Sequence, residues 1–249
     1  MQLFGLLFFN KYSKQIRPYF CQHQLNLMTM NFSSNLQKSI LTFNVFFKDD
    51  TTTQSFLPSI VAKNPEHWAL FRKVLADQKD CRLTIVDKSI ETPFHCLLAA
   101  LFCKQLEEQL HLKMDSITLI LSPLQKKLPN GDNTANMPFD TTDHRNDFLQ
   151  ECFVKVMGIK IKIATKRNPV HCRDVKVSAG DYALYLRFEG GMAHGWQVDD
   201  AYVSRLSSKD LLPFALNDVR CRNIFTHGYS QNGVFINVDF LIKCHSHDK

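Results

Sequence analysis

The chain has 249 residues, enough for one sizeable domain, and 45% of them are hydrophobic, which excludes a wholly disordered chain and predicts a packed core. Its 30 Lys and Arg outweigh 24 Asp and Glu to leave a formal charge of +6. The basic residues are scattered and not gathered into a stripe with aromatics between them, so nucleic acid is not the expected partner.

The start, Met1 to Phe9, is apolar but short, and its charges (Lys11, Lys14, Arg17) follow the apolar run. A signal peptide has the opposite order, so none is expected, and no run of about 18 apolar residues predicts a membrane span. Residues 1–75 read as an N-terminal region, partly helical, that extends the core. It mixes apolar clusters such as Leu41 to Phe47 with polar stretches such as Asp49 to Gln54. Pro65 opens a helix to about Asp77, with Trp68, Leu70, Phe71 and Leu75 as its apolar positions.

Residues 76–249 read as the main domain. Arg82 to Val86 is a strand candidate, and after Pro93 the stretch Phe94 to His111 is a long helix with Leu97, Leu98, Leu101, Phe102, Leu106 and Leu110 at three- and four-residue steps. Ser116 to Leu121 reads as a strand, and 123–143 as a long loop rich in Pro, Asn, Gly, Asp and Thr. Asp147 to Met157 is a helix, with Gly158 placed where a C-cap glycine belongs. Ile159 to Ile163 alternates with two lysines, a half-buried strand. Tyr182 to Phe188, Gly195 to Val198 and Gly233 to Ile242 are the remaining strand candidates, with a turn at Glu189-Gly190-Gly191. Helices and strands mix along the chain, an α+β pattern with helices on a mixed central sheet.

Eight cysteines stand at 21, 81, 96, 103, 152, 172, 221 and 244, with no Cys-x-x-Cys among them. Structural zinc needs regular short spacings, so His171, Cys172, Cys152 and Cys221 are not read as a metal site, and no metal is expected. Free thiols in a reducing compartment, the cytoplasm, are the plain reading. A secreted effector working in another cell's cytoplasm has the same composition. No Gly-x-x-x-x-Gly-Lys loop, Gly-x-Gly-x-x-Gly fingerprint or Gly-x-Ser-x-Gly elbow occurs, so neither a nucleotide cofactor nor a serine hydrolase is expected, and no cofactor is assigned.

One cysteine and one histidine fit a chemistry together. A nucleophilic thiol must ionise, and the start of a helix favours the thiolate through its amides and dipole. Those amides can also hold an oxyanion. Cys96 follows Thr92-Pro93 at the head of such a helix, though a small apolar residue on a core face would look the same. His194 lies where a strand resumes after two glycines and is a candidate base for Cys96. His227, in Thr226-His227-Gly228-Tyr229, is a lesser alternative. A carboxylate would orient the imidazole, with Asp199 first and Asp87 as the alternative.

The segment Phe94-His95-Cys96-Leu97-Leu98-Ala99-Ala100-Leu101 resembles the nucleophile helix of the ovarian-tumour (OTU) cysteine proteases. Phe148 to Ile163 resembles that family's penultimate helix and central strand, and Tyr182 to Val198 its strand, turn and histidine-aromatic ending. The likeness covers about residues 80–205, and His194 follows Cys96 by 98 residues. Pro93, Phe94 and His95 stand where the family has Asp-Gly-Asn, and Gly195 separates His194 from Trp196. The resemblance implies a papain-like, OTU-like fold in which Cys96 is the nucleophile and His194 the base of a thiol isopeptidase. Its partner would be ubiquitin or a ubiquitin-like protein, met by a monomer. Gly190, Gly191, Trp196 and His95 would line the slot for the substrate's terminal Gly-Gly. Two other classes stay open: a cysteine amidase, acyltransferase or deamidase on the same scaffold, and a binding module without catalysis.

Overall fold

The computed structural model describes residues 37–47, 56–124, 139–166, 173–188 and 234–243, all within one compact unit from Gln37 to Cys244. The elements are β1 (Gln37–Phe47), α1 (Phe56–Lys63), α2 (Pro65–Ala76), β2 (Arg82–Asp87), α3 (Pro93–Leu110), β3 (Ser116–Leu121), α4 (Thr142–Met157), β4 (Lys162–Thr165), β5 (Arg173–Ala179), β6 (Tyr182–Phe188) and β7 (Val234–Lys243). The strands form a single mixed sheet in the order β1-β7-β6-β5-β2-β3-β4. β2, β3 and β4 run parallel, and the other pairings are antiparallel.

The parallel end follows from β-α-β connectivity. β2 reaches β3 through α3, and β3 reaches β4 through α4, each step to the next strand over. Such crossovers are right-handed, which puts both helices on one face of the sheet. There α3 packs against α4, α1 and α2.

Alternation along each strand builds the core beneath these helices. In register, Phe43, Val238, Leu186, Val175, Ile85, Leu119 and Ile163 form one row across all seven strands. The five central members of that row are buried, while Phe43 and Ile163 at the edges are partly covered. On the opposite face stand residues such as Thr84, Thr118, Lys176, Tyr185 and Asn237, which are only half-buried. Phe102 of α3 meets Phe188 of β6 edge-on with ring centres 5.7 Å apart. Phe71 of α2 lies 4.9 Å from Phe240 of β7 in the same way of closing helix onto sheet. β1, α1 and α2, all within the first 76 residues, thus share the core of the rest.

Several boundaries differ from the sequence expectation, each for a local reason. α4 starts at Thr142, five residues before Asp147, because Thr141 caps it and the polar stretch Thr142 to Asn146 can form its first turns. β4 starts at Lys162 and not at Ile159; Ile161 precedes it, held through its own N–H and C=O by the Gln150 side chain (2.9 and 3.2 Å). β5 was not anticipated, nor was the tight turn Gly180-Asp181 joining it to β6. Gly158 does end α4, at φ 71°, with its N–H donating to the Val154 carbonyl at 3.0 Å. Among the described residues, no helix is long and apolar enough to cross a membrane.

Candidate functional site

In open α/β sheets, ligands collect beyond the carboxyl ends of parallel strands, where helix N-termini also gather. In this chain that end is formed by the last residues of β2 and β3 and the first turns of α3 and α4. Asp87 closes β2 with its side chain 3% exposed, and its Oδ1 accepts the Ser89 amide at 2.7 Å, which turns the chain off the sheet. The Glu91 carbonyl then accepts the Phe139 amide at 3.0 Å, tying the approach to α3 to the approach to α4.

Each helix starts on a threonine in extended conformation. Thr92 Oγ1 accepts the His95 amide at 3.1 Å, and Pro93 occupies the first helical position, where a missing N–H costs nothing. Cys96 is the fourth residue from this cap, and its amide donates to the Thr92 carbonyl at 3.1 Å. The amides of His95 and Cys96 are therefore both taken up in starting the helix.

The Cys96 side chain is fully buried, with 0% exposure. Burial pushes its thiol far above the ordinary range, and the positive charge of Arg145 pulls the other way without winning. Thiolate chemistry at Cys96 therefore needs the sulfur uncovered. His95, beside it, is half-buried with its ring centre 6.3 Å from that of Phe94.

Arg145 was not singled out from the sequence. It stands in the first turns of α4 and is also 0% exposed. One Nη1–H donates to the Ser122 carbonyl, just past β3, at 2.7 Å, while Nε and Nη2 share the Asn146 Oδ1 at 3.2 Å each. Burial lowers its affinity for the proton, whereas Cys96 and Glu91 act to raise it. Among the described residues no carboxylate forms an ion pair with it. A signal was present: Arg145, Leu149 and Cys152 follow one another at steps of four and three, the stripe of α4 that is buried.

The structure brings Asp87, His95 and Cys96 to the same end of the β2–α3 unit. His194, Asp199, Gly190, Gly191, Trp196 and the alternative His227 lie outside the described residues. So do His171, Cys172 and Cys221, while Cys152 is buried on α4. Among the described residues there is no group of three or more His, Cys, Asp or Glu side chains that could hold a metal ion.

No family model matches the chain, and no curated protein matches it either.

Proposed function

We propose that the chain is a thiol-dependent hydrolase of papain-like, OTU-like architecture that releases ubiquitin or a ubiquitin-like protein from lysine side chains. Cys96 is the nucleophile, His194 the base, and Asp199 the group that orients it, with Asp87 as the alternative. In the first step the Cys96 sulfur attacks the isopeptide carbonyl and the lysine amine leaves with a proton from the imidazole. Water then cleaves the thioester. The chain works as a monomer in the cytoplasm.

The observation that carries this reading is the placement of Cys96. It lies four residues after the cap of α3, beyond the carboxyl end of a parallel strand, where the positive charge of Arg145 pulls its thiol toward ionisation. Both helix dipole and guanidinium favour a thiolate there, once water or substrate reaches the sulfur.

One observation favours a second reading, a binding module without catalysis: Cys96 is 0% exposed, and burial pushes its thiol up. A ubiquitin probe with a C-terminal electrophile separates the two. The hydrolase reading expects covalent labelling at Cys96 that disappears in Cys96→Ala and falls at least about tenfold in His194→Ala. Absence of labelling, with Cys96 no faster than the other cysteines toward a small alkylating agent, rejects it. Labelling by the small reagent alone points to an amidase, acyltransferase or deamidase in place of an isopeptidase.

A further inference from the structure

The face of the sheet away from α3 and α4 is polar and partly open to solvent. By alternation, the described strands set five basic side chains on it, Arg82, Lys162, Lys176, Arg187 and Lys243, against two acidic ones, Asp174 and Asp239. Both acids are engaged: Asp174 Oδ1 accepts from Arg187 Nε at 2.9 Å, and Asp239 Oδ1 accepts from Thr42 Oγ1 at 2.7 Å. In the sequence these basic residues stand far apart, and strand pairing gathers them. Arg82 lies opposite Ser178 and Thr84 opposite Lys176, so Arg82 and Lys176 are diagonal neighbours on β2 and β5. Tyr185 lies opposite Lys176 and Arg187 opposite Asp174, which continues the same diagonal to Arg187 on β6. Three cations on adjacent strands thus form one line, at steps of about 7–8 Å. Arg82 is exposed, Lys176 half-buried, and the Arg187 side chain 45% exposed.

We propose that this line is a docking track for an extended acidic segment of a partner protein, with Asp or Glu at every second position. Charge complementarity selects an acidic occupant. Spacing selects an extended one: its side chains recur on one face about every 6.6–6.8 Å, close to the diagonal step. Carboxylates at i, i+2 and i+4 then face Arg82, Lys176 and Arg187 in turn. Single-stranded nucleic acid is the competing polyanion, and it gains much of its affinity by stacking bases on aromatic rings. Tyr185, beside the line, already has Lys176 Nζ over its ring, 5.0 Å from the centre. The track lies on the opposite face from α3, so it stands apart from the thiol chemistry proposed for Cys96.

Fluorescence anisotropy tests it, with the full chain at low salt and a dye-labelled peptide alternating Glu and Ser over about eight residues. This peptide should bind at least about threefold tighter than its block isomer of the same charge, and binding should weaken as salt is raised. Arg82→Gln combined with Lys176→Gln should weaken it about tenfold, since one exposed pair contributes up to about fivefold. Lys162→Gln, on the same face but three strands from Lys176, should stay within about twofold of the parent. None of these side chains is in the buried core, and an unchanged Tm confirms that each variant is folded. No binding, equal binding of the two isomers, or a double variant that binds like the parent overturns the proposal. An equal loss in Lys162→Gln reduces the track to net charge and overturns it too. Tighter binding of an oligothymidylate of the same charge overturns it in favour of single-stranded nucleic acid.

Discussion

α3 and α4 each leave a parallel strand, and each starts on a threonine whose hydroxyl accepts a histidine amide three residues on, at 3.1 Å in both. At the next residue they part. Cys96 follows in α3 and Arg145 in α4, each with its amide bonded to the threonine carbonyl, at 3.1 and 3.2 Å. The first turn of α3 is Pro-Phe-His-Cys and largely buried; that of α4 is Thr-Asp-His-Arg, with Thr142 half-buried, Asp143 and His144 exposed and Arg145 buried. The same backbone device thus starts one helix on a buried thiol and the other on a buried guanidinium. The capping motif sets position, and the residue four places on sets chemistry.

Removing the arginine should cost the most. Arg145→Ala strands the Ser122 carbonyl and leaves a cavity the size of a long side chain, together about 3 kcal/mol of stability by chemical denaturation. A loss under about 1 kcal/mol would mean that the start of α4 closes without the guanidinium.

Alkali tests the thiol side. Cys81 is pushed up to about 11 by burial and by Asp115 and Glu107, and burial raises Cys96, Cys103 and Cys152 as well. The unfolded chain releases these protons near the ordinary thiol value, the folded chain only at higher pH. Stability is therefore fully present below about pH 8.5 and declines as pH rises beyond it, by about 1.4 kcal/mol per pH unit for each thiol still protonated in the fold. Thermal unfolding followed from pH 7 to 10.5 should show the decline, and a level Tm above pH 9 would contradict it. Cys103→Ser and Cys96→Ser should each flatten the slope, because burial raises both thiols.

How far the fold could be read in advance depends on how apolar each stretch is. β3 and β6 match their expected limits, since Ile117, Leu119 and Leu121 or Leu184, Leu186 and Phe188 mark one face plainly. β5 carries only Val175, Val177 and Ala179 inward, between Asp174, Lys176 and Ser178, and its turn has Gly180-Asp181 in place of a stronger signal such as Asn-Gly. The position of Cys96 at the head of α3 was readable from Thr92-Pro93, but its burial was not. Phe94, Leu97, Leu98, Ala99 and Ala100 are apolar on every side, and a helix start without a polar face gives no sign of which side meets solvent. Arg145 was hidden for the opposite reason: a charge in a polar stretch suggests water, and only its register with Leu149 and Cys152 points inward.

The smallest effects, and the finest test of the likeness between the two helix starts, come from the caps themselves. Thr92 and Thr141 make the same bond at the same length, so an account based on the hydrogen bond alone expects equal losses on mutation to Ala. Burial separates them. Thr92 is 6% exposed, so Thr92→Ala leaves the His95 amide with little access to water and should cost about 1.5 kcal/mol. Thr141 is exposed, water can take the place of its hydroxyl, and Thr141→Ala should cost about 0.5 kcal/mol. Chemical denaturation of the two single variants reads the difference directly. Equal losses would mean that solvent reaches the first turn of α3 as freely as that of α4, and with it the region around Cys96.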